Sequence, residues 1–126
     1  MADHADLTSP STKIVYCFAN VEGHCKVGLY KGNGGSQFVH TGFSPAFVLE
    51  KRTNVSAWNL YDNKRDPFNP QNTKALQPHV ADAEATYTGM QFLSNGFAPL
   101  GTLNDAGTTL LFIAIAEAPF KYSNAY

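Results

Sequence analysis

The chain has 126 residues, of which 44% are hydrophobic and 15% charged, and its formal net charge is -1 at pH 7. A chain of this length ordinarily folds as one domain, and its even balance of charge makes nucleic acid and anionic membrane surfaces unsuitable partners. No stretch is apolar over the ~20 residues that a membrane helix needs, and the polar start lacks a hydrophobic signal segment.

The first half of the chain is predicted to hold strands separated by polar turns. Residues 1–12 have no apolar period and are predicted to be a flexible arm or an intersubunit strap, whereas residues 13–126 form the folded domain. The glycine-rich residues 31–36 predict a loop between strands. A phosphate-binding loop is not expected, because the lysine and the helix of such a loop do not follow these residues. β-Branched and aromatic runs predict strands over residues 13–19, 25–30, 37–42 and 46–52.

The second half of the chain continues the pattern of strands and turns. Asn95-Gly96 predicts a hairpin, because both residues tolerate positive φ. The run TTLLFIAIA predicts a central strand that is buried on both faces. Strands are predicted over residues 58–62, with Trp58 in the core, within residues 75–85, on both sides of the hairpin in residues 90–100, and over residues 108–116, with a loop at residues 63–72.

No segment shows a sustained helical period, so the sequence predicts an all-β fold. We expect a single antiparallel β-sandwich or jelly-roll-like domain of about seven to nine strands. Residues 15–26 also align without gaps with residues 110–121, at a constant offset of 95. This similarity is either a coincidence between two hydrophobic strands or the sign of a strand shared between repeated units. The second alternative favours edge-to-edge or head-to-tail assembly.

Residues that could carry chemistry are scattered in the sequence. Cys17 and Cys25 are predicted to be free thiols, and His4, His24, His40 and His79 lack the spacing of a zinc site. Asp62, Asp66 and Asp105 make a calcium site conceivable, although Asp and Asn more often cap loops. We therefore predict no metal and no cofactor. Trp58 could form an aromatic platform for a glycan together with Tyr61, Phe68 and Tyr87, but core packing is the favoured prediction for Trp58. Phe68, in the polar loop, is the aromatic residue predicted to be exposed.

A set of motifs occurs in a fixed order over residues 14–126. They are VYCFANVEGHCKVGLYKGNG, FVHTGFSPAFVLEKRT, WNLYDNKRDPFNP, FLSNGF and AEAPFKYSNA. The ordered set resembles a repeated domain of tailed-bacteriophage virion proteins, which are often described as tail-fibre or structural proteins of environmental phages. The resemblance implies a virion component made in the cytoplasm of the bacterial host, and it brings no catalytic residue to this chain.

These observations predict a non-enzymatic phage structural protein, a tail-fibre or adhesin module that acts in host attachment. The alternative is a capsid decoration protein, a cement or head-fibre subunit that stabilises the phage head, and a carbohydrate-active enzyme is the least favoured class. The expected partners are other virion proteins, further copies of the chain and a host surface glycan or receptor. The residues predicted to make these interactions lie in the polar loop and are Asp62, Arg65, Asp66, Phe68 and Asn69.

Overall fold

Two antiparallel sheets of four strands each pack face to face in the computed structural model, which describes residues 15–54, 57–66 and 72–118. The strands are β1 (Cys25–Lys31), β2 (Val39–His40), β3 (Pro45–Arg52), β4 (Trp58–Asp62), β5 (Asn72–Ala75), β6 (Ala85–Leu93), β7 (Gly96–Pro99) and β8 (Thr109–Ala116). A short 3-10 helix (Gly101–Asn104) lies between β7 and β8. Sheet A has the order β1-β8-β3-β4 and sheet B the order β2-β7-β6-β5. The predicted all-β fold is confirmed, in the form of a sandwich.

Aromatic rings fill the space between the sheets. The ring of Phe97 in sheet B lies edge-on to Tyr30 and Phe112 of sheet A, with centroid distances of 5.9 and 5.3 Å, an arrangement that aromatic pairs favour. The Tyr30 hydroxyl donates a hydrogen bond of 3.1 Å to the Leu103 carbonyl. This bond satisfies the one polar atom that the tyrosine brings into the core.

β8 is the central strand of sheet A, as its apolar run predicts. It pairs antiparallel with both β1 and β3. Leu110, Phe112 and Ala114 point into the sandwich and are at most 3% exposed. Ile113, on the opposite face, is also buried. The outer face of sheet A is therefore apolar as well, and its members include Val27, Leu29, Phe47, Leu49, Leu60, Leu111, Ile113 and Ile115.

Among the described residues, backbone hydrogen bonds join the two sheets along one side. Leu60 of β4 and Leu76, directly after β5, exchange backbone hydrogen bonds of 2.9 and 3.1 Å. On the opposite side, β1 and β2 are the edge strands of their sheets. The sandwich is thus continuous through β4 and β5 and open at β1 and β2.

The prediction of a strand over residues 13–19 is wrong for residues 15–19, the part of it that the structure describes. These residues form no strand, and Val15 and Tyr16 are 72% and 78% exposed. Val21 and Cys25 pair through their backbones, but the next outward-facing N–H, that of Val27, donates to the Asn20 side chain at 2.6 Å. A side chain thus takes the position at which a paired strand would continue. Residues 1–14, with the predicted arm, lie outside the described residues.

Other differences concern strand limits and one tryptophan. The strand predicted over residues 37–42 is reduced to the two residues of β2, and β5 begins within the predicted loop, at Asn72. The prediction that Trp58 packs in the core is wrong. It is half-buried, and it pairs with Lys51 on the outer face, where the Lys51 Nζ lies 5.8 Å from the centroid of its ring. The inner face of β4 instead carries Asn59 and Tyr61.

Candidate functional site

A surface cleft opens between the sheets where the ends of β3 and β4 approach β6 and the 3-10 helix. Its volume is about 180 Å³. Most of its lining is polar but uncharged, and two tyrosine rings contribute to it. The lining residues are Arg52, Ala57, Asn59, Tyr61, Gln77, Tyr87, Thr88, Thr102 and Leu103.

A buried carboxyl group, that of Glu50, lies behind the lining of this cleft and contacts the lining residue Asn59. Glu50 is 1% exposed, and strand alternation places it between Arg52 and Val48 on the inner face of β3, opposite Asn59. The Asn59 side-chain Nδ2 donates to Glu50 Oε1 at 2.7 Å. Glu50 Oε2 has no hydrogen-bond partner among the described residues. Such an atom is rare in a folded interior, because it loses its hydration without compensation.

Burial determines the ionisation of this group. Loss of hydration raises the pKa of Glu50, and the hydrogen bond from Asn59 and the nearby charge of Arg52 only partly oppose it. Burial also raises the pKa of the Tyr30 and Tyr61 phenols, and the neighbouring Glu50 raises both further. The interior next to the cleft therefore favours the neutral forms of all three side chains.

A chain of side-chain hydrogen bonds connects Glu50 with the surface. Asn59 Oδ1 accepts a hydrogen bond of 3.3 Å from Gln77 Nε2, and the same Gln77 nitrogen donates to the Tyr87 hydroxyl at 3.4 Å. Asn59 belongs to β4, Gln77 to the segment after β5 and Tyr87 to β6. The network thus crosses from sheet A to sheet B and orients its surface members, of which Tyr87 is 43% exposed.

The charge of the arginine in the lining is already neutralised. Arg52 Nη2 forms an ion pair of 3.2 Å with Asp105 Oδ2 and donates to the Thr102 carbonyl. These contacts fasten the 3-10 helix to the end of β3. The cleft therefore presents mainly amide and hydroxyl groups, which donate and accept hydrogen bonds without titrating in the neutral range.

The predicted interaction residues lie away from this cleft, at the start of the polar loop. Asp62 Oδ1 accepts from the backbone N–H groups of Lys64 and Arg65 at 2.9 and 2.8 Å, and Asp62 Oδ2 pairs with Arg65 Nε at 2.5 Å. Partial burial opposes ionisation of Asp62, but the hydrogen bonds from Arg65 outweigh it, and the pKa of Asp62 is lowered. Asp62 and Arg65 thus fix the first turn of this loop.

Asp66 fastens the far side of the same loop. It accepts hydrogen bonds from the Thr73 backbone N–H and hydroxyl at 2.9 and 2.8 Å, and these bonds lower the pKa of Asp66. Phe68 and Asn69 lie outside the described residues. Within the described ranges, no group of three or more His, Cys, Asp or Glu side chains could hold a metal ion. The interaction role of the loop stays a prediction.

The structure separates the members of the predicted aromatic platform. Tyr61 and Tyr87 both line the cleft, whereas Trp58 lies on the other face of sheet A. Gln77 and Thr102 were not predicted as site residues, because they come from irregular segments whose position depends on the tertiary fold. The polar pair Glu50 and Asn59 did have a signal in the sequence, since each alternates with a core residue, Val48 or Tyr61.

Comparison with known proteins gives a family but no activity. Searches among curated proteins and among solved structures find no match. Within the described residues, no helix is long and apolar enough to cross a membrane. A family described as a domain of unknown function (DUF7483) matches residues 2–119, nearly the whole sequence, and the chain therefore belongs to this family.

Proposed function

We propose that this domain is a non-enzymatic structural module of a tailed-phage virion, a tail-fibre or adhesin module that acts in host attachment. The ordered motifs that resemble virion proteins supply the biological setting. The observation that carries the attachment role is the Asn59–Gln77–Tyr87 network, which holds neutral hydrogen-bonding groups in fixed positions at a surface cleft. Preorganised polar groups of this kind favour recognition, because little side-chain entropy remains to be lost on binding.

The chemistry of the lining supports binding rather than catalysis. Side-chain amides and the threonine hydroxyls contribute hydrogen bonds, but they are poor proton donors and acceptors in acid–base chemistry near neutral pH. The Arg52 charge is held by Asp105. Release of soluble sugar from host polysaccharide by the purified chain would contradict the non-enzymatic assignment.

Assembly with further copies of the chain is part of the proposal. Residues 15–21 expose Val15, Tyr16, Phe18 and Val21 beside β1, and Leu29 of β1 is 63% exposed. Val21 and Asn20 already contact the start of this edge, at Cys25 and Val27, so a further strand would pair with the later part of β1, around Leu29. Residues 15–19 resemble the start of β8, the strand that already pairs with β1. A second copy therefore carries a segment suited to this edge.

Antibody labelling of intact particles tests the attachment role. Gold-labelled antibodies raised against the purified chain are imaged on particles of the phage that encodes it. We expect label at the tail, in tens of copies or fewer per particle, and we expect the purified chain to bind host cells. Binding to virions alone, without binding to host cells, would contradict the adhesin role.

Capsid decoration is the second candidate. The exposed aromatic side chains of Tyr16 and Phe18, 78% and 49% exposed, favour it, because an exposed apolar segment suits a subunit that attaches to a shell. Label over the head, with hundreds of copies per particle, would replace the attachment role with decoration. Absence of label from the particle would exclude both candidates.

A further inference from the structure

The surface members of the cleft network have hydrogen-bonding capacity that no contact among the described residues uses. Tyr87 accepts a hydrogen bond from Gln77, which leaves its own O–H free to donate, and no bond to Gln77 Oε1 is formed within the described residues. A free donor and a free acceptor thus stand on adjacent side chains. A sugar hydroxyl both donates and accepts, so neighbouring hydroxyls of one ring match this pair. The exposed Tyr87 ring provides a flat apolar surface for the C–H face of the same ring.

Glu50 gives a second and independent indication of a binding site. Its side chain is 1% exposed and its Oε2 lacks a partner among the described residues. An uncompensated buried polar atom costs stability, and such costs are commonly found beside functional sites. Through Asn59, this carboxyl group also fixes the amide that orients Gln77.

The charge and size of the cleft narrow the class of ligand. An anionic ligand is disfavoured, because Arg52, the charged residue of the lining, is already paired with Asp105. The volume of about 180 Å³ is below the range of about 300–1,000 Å³ that is typical of pockets for larger small molecules. A single uncharged, hydroxyl-rich ring is the class of ligand that suits these limits.

We propose that the cleft binds one ring of a neutral saccharide, through Gln77, Tyr87 and the hydroxyl of Thr102. This inference rests on the proposed attachment function and names the chemistry that the attachment site recognises. For so small a ligand we expect a dissociation constant on the order of 1 mM. Useful avidity for a cell surface then comes from the many copies on one particle.

The test is a nuclear magnetic resonance titration of the full chain, labelled with nitrogen-15. Glucose, galactose, mannose and N-acetylglucosamine are added separately, and inorganic sulfate serves as the anionic probe. We expect at least one sugar to shift the amide signals of Gln77, Tyr87 and Thr102, with little effect of sulfate. Shifts by none of the sugars, shifts confined to other regions, or a stronger response of the cleft to sulfate would each overturn the proposal.

Variants with matched controls make the test specific. Gln77→Ala is expected to weaken sugar binding about tenfold, and Tyr87→Phe several-fold, because it removes the hydroxyl but keeps the ring. Gln91→Ala makes the same chemical change as Gln77→Ala outside the cleft and is expected to leave affinity unchanged. Wild-type affinity in both cleft variants would overturn the proposal, and an amide spectrum of each variant confirms that it is folded.

The attachment function and the saccharide site can fail separately. Label at the tail and host binding that Gln77→Ala leaves intact would retain the attachment function and reject this site. Sugar-induced shifts in the cleft, together with label over the head, would retain the site and reject attachment through the tail.

Discussion

Glu50 lies at a position of β3 whose side chain points into the core. Val48 and Tyr61 lie on the same inner face and are at most 1% exposed, and Glu50 shares their burial without sharing their chemistry. Desolvation of a carboxylate is costly, so the folded state favours the protonated form. The buried Glu50 carboxyl group behind the cleft therefore lowers the stability of the fold.

The first prediction concerns the substitution Glu50→Gln. The pKa of Glu50 is raised above its ordinary value of 4.5 by burial, so the unfolded chain releases this proton first as pH rises. The stability of the wild type therefore falls as pH rises from about 4.5 toward the pKa in the folded state, by about 1.4 kcal/mol for each unit of pKa difference. The variant lacks this loss. We expect its melting temperature at pH 7 to exceed that of the wild type by a few degrees.

Thermal unfolding followed by circular dichroism between pH 4 and pH 8 measures this difference. The two proteins should differ least at the acidic end, where Glu50 is protonated in both states. Glu22→Gln, on the exposed turn before β1, is the control and should leave the pH profile unchanged. A variant that is less stable than the wild type at pH 7 would show that ionised Glu50 stabilises the fold.

At the scale of elements, glycine at one position allows β2 to join sheet B. Gly96 begins β7 opposite His40 of β2, and a Cβ at this position would lie 2.1 Å from the Val39 carbonyl oxygen. Gly96 does not have a positive φ, whereas several other glycines of the domain do. A hairpin is confirmed here, but its loop is Ser94 and Asn95, one residue earlier than the predicted Asn95-Gly96, because Gly96 already pairs with Leu93. The reason for the glycine is close packing rather than a left-handed conformation.

The second prediction is that Gly96→Ala destabilises the domain. The added methyl group must displace β2, and we expect the free energy of unfolding to fall by about 1–3 kcal/mol, as for other overpacked positions. Chemical denaturation with urea measures the change. Gly35→Ala is the control, because a Cβ at that position would have only Asn33 Oδ1 nearby, at 3.8 Å, and the change should stay within about 0.5 kcal/mol. Equal stability of both variants would contradict the packing argument.

The elements that the sequence predicted well are those with strong local patterns. The central strand β8 and the hairpin β6–β7 follow from an apolar run and from turn residues. The segment at residues 15–19 has the same β-forming composition, but β-propensity acts through cross-strand neighbours, and no strand among the described residues pairs with it. The cleft depended on Gln77 and Thr102, which are brought together only by the tertiary fold. No local pattern contained that information.

At the scale of the whole molecule, exposed apolar side chains of the described residues are concentrated in residues 15–21 and at Leu29 of β1. The apolar residues on the outer face of sheet A are mostly half-buried. A cluster of exposed apolar side chains is typical of interfaces. This arrangement accords with the low proportion of charged residues, 15%, in the sequence.

The third prediction is that residues 15–21 contribute to self-association. The double variant Tyr16→Ser with Phe18→Ser should raise the dissociation constant of the oligomer about tenfold or more, because buried aromatic side chains carry much of an interface's binding energy. The melting temperature of the isolated monomer should hardly change. Analytical ultracentrifugation over a range of concentrations measures the effect, and Val80→Ser, an exposed apolar position elsewhere, is the control. A wild type that stays monomeric at all concentrations would refute the oligomer.

The backbone pairing of Leu60 with Leu76 predicts that the two sides of the sandwich differ in how readily their strands separate. Where backbone hydrogen bonds join the sheets, amide protons exchange with solvent only when both sheets separate together. At β1 and β2 each edge can fray by itself, and β2 has only two residues to hold it. Exchange with deuterium should therefore be faster at the β1 and β2 edges than at Leu60 and Leu76. The proposed binding cleft is then built on the slowly exchanging side, and the proposed assembly edge on the side that opens most readily.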